Sequence, residues 1–276
     1  MLTSQVKSTL KPLPLAISTI AFTFGSAGAA AYNTDRIEDP DVRACADRAL
    51  PNETASQLQR VKVIGKNGHE RDSLREIMWK RSDNNDSRVL VRMLEPIDDK
   101  GVAILVNDDA ERSVVSYMMY SPKIKRVRRV TGDSFFGSIM RTDFTYDDFR
   151  YFYSVDEQEE VVRVEDAVLD DMPAYVLETT RPDDNGIYSK VRFFVDKEVC
   201  LPVRTEFLGL NGELRKELIA DREHIKPLGE RFVPHKVTMR DLKLESISEF
   251  QVEEVEIDPD LDDSMFEVST LKRGGH

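Results

Sequence analysis

Four histidines, His69, His224, His235 and His276, are the side chains of this sequence best suited to moving protons near neutral pH. They are scattered, and each reads as a surface or hairpin residue. His235, in "VPHKV", falls in the middle of a strand pattern. There is no GxSxG nucleophile elbow, no HExxH helix and no Gly-rich phosphate loop. Acid pairs such as Asp147–Asp148 recur throughout, so none stands out as a general acid and base. Enzymatic chemistry is therefore not expected, and nothing calls for a cofactor. Cys45 and Cys200 are the two cysteines. In an exported protein they can form one disulfide closing a very long loop. They can equally remain a buried and an exposed thiol. No CxxC or paired-histidine spacing suggests zinc.

The other chemistry on offer is binding. "FFGSIMRTDFTYDDF", Phe135 to Phe149, is a greasy stretch with a short acidic cluster, in a chain of net charge −12. Its second half has a local explanation. With Thr145 as N-cap and Asp148 at N3, the two can exchange side-chain-to-backbone hydrogen bonds as a capping box. Phe144 and Phe149 then occupy the positions of a hydrophobic staple. Phe135, Phe136, Ile139 and Met140, hinged at Gly137, have no such local role. They can plug the end of a barrel, or form a lid over an apolar hollow in which Met adapts to varied chains. The run "KIKRVRR" precedes them. Arg126 and Arg128 can meet an anionic headgroup at the rim; a basic strand edge can also simply discourage aggregation.

The elements that must position these residues follow from pattern. The first residues, "MLTSQVKSTLK", carry lysines and no acid. "PLPLAISTIAFTFGS" is apolar but short for a span, and "AGAAAY" offers cleavage after Ala29 or Ala31. Residues 1–31 thus have the layout of a signal peptide, which places the protein in the periplasm. Residues 32–56 form an N-terminal helical segment. Within it "DPDVRACADRAL" reads as a helix capped by Asp39 or Asp41, with Val42, Cys45, Ala46 and Ala49 on one face. Residues 57–276 alternate in strand-like runs joined by turn chemistry such as Asn67-Gly68. The expected fold is mainly β: a strongly curved antiparallel sheet of about 11 strands, an incomplete barrel with a few helices on its concave side. "RVLVRML", "VAILV" and "SVVSYMMY" are apolar on both faces and need cover on both. Tyr117 and Met119 share the face that would line a hollow. The acidic balance argues against nucleic acid as a partner.

In this order, "SPKIKRVRRV", "TDFTYDDF", "AYVLETTRP", the hairpin "VDKEVCLPVR", "RFVPHKVTMRD" and "MFEVSTLKR" resemble the outer-membrane lipoprotein-sorting protein family, distant relatives of the periplasmic lipoprotein carrier. The resemblance runs from about Gln57 to Arg273. It implies the curved half-barrel whose apolar hollow shields acyl chains of lipid or lipoprotein crossing the periplasm towards the outer membrane. It also implies an alternative, a periplasmic sensor or an adaptor for an inner-membrane exporter of the resistance-nodulation-division class. Only transient membrane contact is implied. Cys45 and Cys200 are not part of the family pattern.

Overall fold

Burial alternates residue by residue along β1, Thr54–Ile64: Val61 and Val63 point inward while Arg60 and Lys62 stay partly in water. Gly68, at φ 72°, closes the hairpin into β2, Glu70–Arg81, donating its N–H to Gly65 O at 2.8 Å. A left-handed turn position of this kind favours glycine. This computed structural model describes residues 39–49, 53–81, 86–109, 114–148, 160–180 and 186–272. The expected signal peptide, residues 1–31, lies outside them.

The same logic generates β3 (Ser87–Glu95), β4 (Ala103–Asp109), β5 (Val114–Ser121) and β6 (Arg126–Arg129). The second half supplies β7 (Glu160–Arg163), β8 (Ala167–Leu169), β9 (Met172–Thr180), β10 (Tyr188–Asp196), β11 (Pro202–Gly209) and β12 (Leu214–Ala220). It ends with β13 (Ile225–Leu228), β14 (Arg231–Pro234), β15 (Lys236–Asp241) and β16 (Ser246–Ile257). One 14-stranded sheet runs in the order β6-β5-β4-β3-β2-β1-β16-β15-β12-β11-β10-β9-β7, with β8 on β9; β13 and β14 form a separate hairpin. Its neighbours are antiparallel throughout, and β6 and β7 end it without meeting, so the curved sheet is an incomplete barrel.

The strand count exceeds expectation for local reasons. "EVVRVEDAVLD" divides into β7 and β8, "FVPHKVTMRD" divides at His235 into β14 and β15, and "KPLGE", a connection by its turn chemistry, lends Lys226 to Leu228 to β13.

The two faces differ. The concave face carries one continuous core, drawn from strands as far apart as Ile77, Ile104, Val191, Phe207, Met239 and Phe250. The convex face carries separate patches. Met78, Leu90, Leu105 and Tyr120 are covered by Phe266 and Leu271, from the C-terminal 3-10 turns Asp263–Phe266 and Thr270–Lys272. Ala174, Val176 and Phe194 lie beneath Ala167 and Leu169 of β8. The strands apolar on both faces are thus explained: the chain's last turns dress the outside, and Val42, Cys45, Ile139, Phe144 and Tyr146 dress the inside.

The helix α1, Pro40–Ala49, lies against that inner core. Asp39 caps it, accepting the N–H groups of Asp41 at 3.0 Å and Val42 at 3.1 Å. Val42 and Cys45 are buried, and Cys45 is disulfide-bonded to Cys200, 155 residues away, with Cα atoms 5.0 Å apart. No helix among the described residues is long and apolar enough to cross a membrane.

Candidate functional site

After β6 the chain leaves the sheet and crosses its concave face. A 3-10 turn, Gly132–Phe136, ends at Gly137, and Ser138 bridges to Thr145. Between them the backbone doubles back: Ile139 N–H donates to Phe144 O at 2.7 Å, and Thr142 N–H to Ile139 O at 3.0 Å. Met140 and Arg141 sit at the bend with φ 47° and 62°, a conformation uncommon for residues with side chains.

The structure sorts the apolar residues of this segment by depth. Ile139 is 3% exposed and belongs to the core. Phe135 and Met140 are partly buried and pack on that core. Phe135 meets Tyr117 edge to face, with ring centroids 5.8 Å apart. Phe136 is 40% exposed and faces outward. Tyr117 is buried and also meets Tyr146 at 5.3 Å, while the Tyr146 hydroxyl points at Met119 Sδ, 3.7 Å away. Burial pushes that hydroxyl's pKa up to about 12. Tyr117, Met119, Phe135, Ile139 and Met140 therefore form one apolar wall. Arg128 pairs with Met119 across β5 and β6, so it projects from the same face of the sheet; Arg126, two residues away, does likewise. Both arginines are exposed at the sheet's edge.

Two polar anchors hold the segment, and pattern reading missed both. The first is Arg75, buried on β2, whose guanidinium donates to Met140 O at 3.2 Å. Burial pushes its pKa down to about 9, so it stays cationic at neutral pH. The signal was its phase: Arg75 shares the inward face with Ile77 and Trp79. A pocket of about 150 Å³ lies here, lined by Arg75, Val63, Met93, Met140 and Arg141 among others. Asp99 ties its rim, meeting Arg141 at 3.2 Å and Lys123 at 3.3 Å.

The second anchor begins at the expected capping box. Thr145 N–H donates to Asp148 Oδ2 at 2.7 Å, and Asp148 N–H to Thr145 Oγ1 at 3.2 Å, where residues 146–148 turn helical. Phe149, the other half of the expected staple, lies outside the described residues; Phe144 packs on Phe250, 5.4 Å between ring centroids. The Asp148 carboxylate does more than cap. It accepts from the Tyr188 hydroxyl at 2.6 Å and from Lys216 Nζ at 2.9 Å. Lys216 also donates to Asp143 O at 2.7 Å, and the Asp143 carboxylate accepts from Ser246 and from Ser248 at 2.6 Å. Burial, and then the Asp148 charge, raise the pKa of Tyr188 far above the usual phenol range. Lys216 was again legible only by phase, two residues before Leu218.

Neither anchor assembles a nucleophile with a base. His235 accepts no such role here: its Nδ1 lies 3.3 Å from Val252 O at a strand junction, and burial lowers its pKa. His224 lies by Asp221 at 3.0 Å, half out in solvent. The arrangement is a strapped apolar surface, suited to covering and uncovering.

A family model described as an uncharacterized protein matches residues 85–273. The chain belongs to that family. Solved structures extend the likeness to 84% of the chain. One, described as an outer membrane lipoprotein-sorting protein domain, from Vibrio parahaemolyticus, has a TM-score of 0.75 at 20% identity, over 84% of this chain and 97% of that one. A DUF1329 family protein from Desulfovibrio piger has a TM-score of 0.75 at 20% identity, over 84% and 96% of the two chains. A LolA superfamily protein from Nitrosomonas europaea has a TM-score of 0.63 at 18% identity, over 83% and 98%. Comparison with curated proteins gives no match. At such identities the likeness is one of fold, the fold of the lipoprotein-sorting and LolA superfamily proteins, as the sequence resemblance implied.

Proposed function

We propose that the protein is a periplasmic carrier or chaperone that shields acyl chains of lipid or lipoprotein against the concave face, for transport towards the outer membrane. The observation that carries this reading is the strap. Residues 135–140 lie on an apolar wall with only Ile139 embedded in it: Phe135 and Met140 are partly buried, and the bend at Met140–Arg141 holds an uncommon backbone conformation. An acyl chain gains about 0.8 kcal/mol per methylene removed from water, so a dozen methylenes repay displacement of a few such contacts. The pocket beside Met140, about 150 Å³, falls below the range of about 300–1,000 Å³ usual for ligand sites. Loading therefore requires Phe135 to Met140 to lift, with Ile139 withdrawing from the core. The Cys45–Cys200 disulfide suits an oxidising compartment, in keeping with the expected signal peptide. Arg126 and Arg128, on the same face as Met119, are placed to meet an anionic headgroup.

The test is extraction of the protein from its own host followed by mass spectrometry of bound lipid, with titration by a fluorescent fatty acid. Co-purifying lipid and saturable binding, competed by unlabelled fatty acid, are expected. Absence of both refutes the carrier reading.

A further inference from the structure

Among the described residues, the antiparallel order places five hairpin turns at one end of the sheet. From β1, whose Ile64 pairs with Ile247 at the start of β16, each register step alternates direction. Turns 65–69, 96–102, 122–125, 210–213 and 242–245 all fall at that end. Four of them carry aliphatic side chains bare to water: Ile97 is 82% exposed, Ile124 44%, Leu210 66%, Leu242 46% and Leu244 61%. Turn tips are ordinarily polar, since apolar groups there gain nothing from folding. Five of them on one rim form a surface rather than scattered exceptions.

Charge on this rim is more balanced than that of the chain. Lys66, Lys100, Lys123, Lys125 and Lys243 in the turns stand against Asp98, Asp99, Glu213 and Glu245, and Arg126 and Arg141 beside them against Glu70, Glu95 and Asp241. In a chain of net charge −12 this end is therefore near neutral, with Lys123, Lys125 and Lys243 directly beside the aliphatic tips. Asp99, held by Lys123 and Arg141, ties turn 96–102 to turn 122–125 and to the bend of the strap. The pocket beside Met140 is lined by Pro96, Asp99 and Arg141 of this same end.

We infer that this rim docks the protein on an anionic phospholipid surface. The isoleucines and leucines enter the interface, and the flanking lysines and arginines meet lipid phosphates. The partner is a bilayer because aliphatic tips spread along the rim of a sheet suit an extended face, not a groove, and because apolar tips flanked by cations are the composition that binds anionic interfaces. Docking there brings the hollow's rim, Arg75 and the strap's bend to the membrane. The inference stands apart from the carrier reading: its test contains no cargo.

The test is co-sedimentation of the protein, as isolated from its host, with vesicles of phosphatidylcholine alone or mixed with phosphatidylglycerol. The mixed vesicles are expected to pellet the protein at low salt and less of it as salt rises. Ile97→Asp with Ile124→Asp, and separately Leu210→Asp with Leu244→Asp, are each expected to weaken pelleting about tenfold or more. These side chains are exposed, so an unchanged melting temperature confirms that the variants are folded. No pelleting of the wild type, or pelleting unaffected by either pair of aspartates, overturns the inference. So does a wild type that ignores both vesicles yet binds an acidic protein through the same residues, which makes the rim a protein site. Failure of lipid to co-purify would count against the carrier and leave this result untouched.

Discussion

The carboxylate of Asp148 and the ammonium of Lys216 lie 2.9 Å apart, with side-chain exposures of 0% and 2%. The residue that closes the capping box with Thr145 is thus also the counter-ion of a buried cation on β12. The Tyr188 hydroxyl, the Asp143 carbonyl and, at 3.8 Å from Lys216, the buried Asp241 carboxylate surround the pair. This contact fixes the C-terminal end of the strap to the floor of the half-barrel.

Removing one member of such a pair strands the other. Asp148→Ala is expected to lower stability by about 3–5 kcal/mol, because it leaves buried Lys216 with only the Asp241 carboxylate, 3.8 Å away, to face. Thr145→Ala removes only a cap and is expected to cost about 1 kcal/mol. The double variant Asp148→Leu with Lys216→Met should recover much of the loss, since an apolar pair needs no solvation. Chemical denaturation of the variants measures this. Equal losses for Thr145→Ala and Asp148→Ala would mean that the cap alone matters.

Much of this architecture was legible from pattern, and the part that was not has a common cause. Strand alternation, the Asn67-Gly68 turn, the Asp39 cap and the Thr145–Asp148 box are all local, so neighbouring residues encode them. Arg75 and Lys216 escaped because their partners are Met140 and Asp148, 65 and 68 residues away. Only their inward phase marked them, and a charged residue at an inward position reads as a defect until its partner is seen. The disulfide stayed open for the same reason. The two-faced strands β3 to β5 suggested a hollow on one side, and the cover on the other came from Phe266 and Leu271 at the far end of the chain.

Arg75 holds the strap by its backbone at Met140. Arg75→Met leaves that carbonyl without its donor, which is expected to cost about 1–3 kcal/mol locally. Hydrogen exchange at residues 138–142 should accelerate by roughly tenfold or more, with a smaller effect at β11 and β12. Release of a bound fluorescent fatty acid should accelerate with it. Unchanged exchange in 138–142 would show that packing of Ile139 alone retains the strap.

Depth within the strap predicts two classes of variant. Ile139→Ala empties a buried site and is expected to cost about 2–5 kcal/mol. Phe136→Ser changes an outward side chain and should leave the melting temperature within about a degree or two, since surface changes stay near ±0.5 kcal/mol. Met140→Asp, at the pocket's edge, should impair fatty-acid binding more than folding. Thermal melts and ligand titrations on the same three proteins separate these outcomes.

Cys45–Cys200 closes a loop of 155 residues between α1 and the β10–β11 turn. Long loops lose the most chain entropy on closure, so reduction, or Cys45→Ala with Cys200→Ala, is expected to cost about 2–5 kcal/mol. The loss should appear in the reduced protein as freer α1, seen as faster exchange at residues 40–49. An unaltered melting temperature under reducing conditions would show that α1 is held by Val42 and its ion pair alone.

Acid should loosen the same helix by another route. The N–H of Val42 holds the Asp39 carboxyl below its ordinary pKa of 3.8; burial opposes this, and Arg163 adds to it. Arg163 pairs with both Asp39 and Asp166. A carboxylate with a depressed pKa in the folded state binds fewer protons there than when unfolded. Its contribution is therefore complete above the ordinary value and is lost as pH falls through the folded one. Protection of α1 amides should decline below about pH 4, where a protonated Asp39 caps poorly and releases Arg163. Asp39→Asn keeps a capping oxygen without the charge, so its α1 should show lower but nearly pH-independent protection across that range. The disulfide keeps α1 tethered throughout, so the change is fraying at the helix start rather than departure of the helix. Parallel acid sensitivity in Asp39→Asn would assign the loosening to other carboxylates, Asp166 first among them.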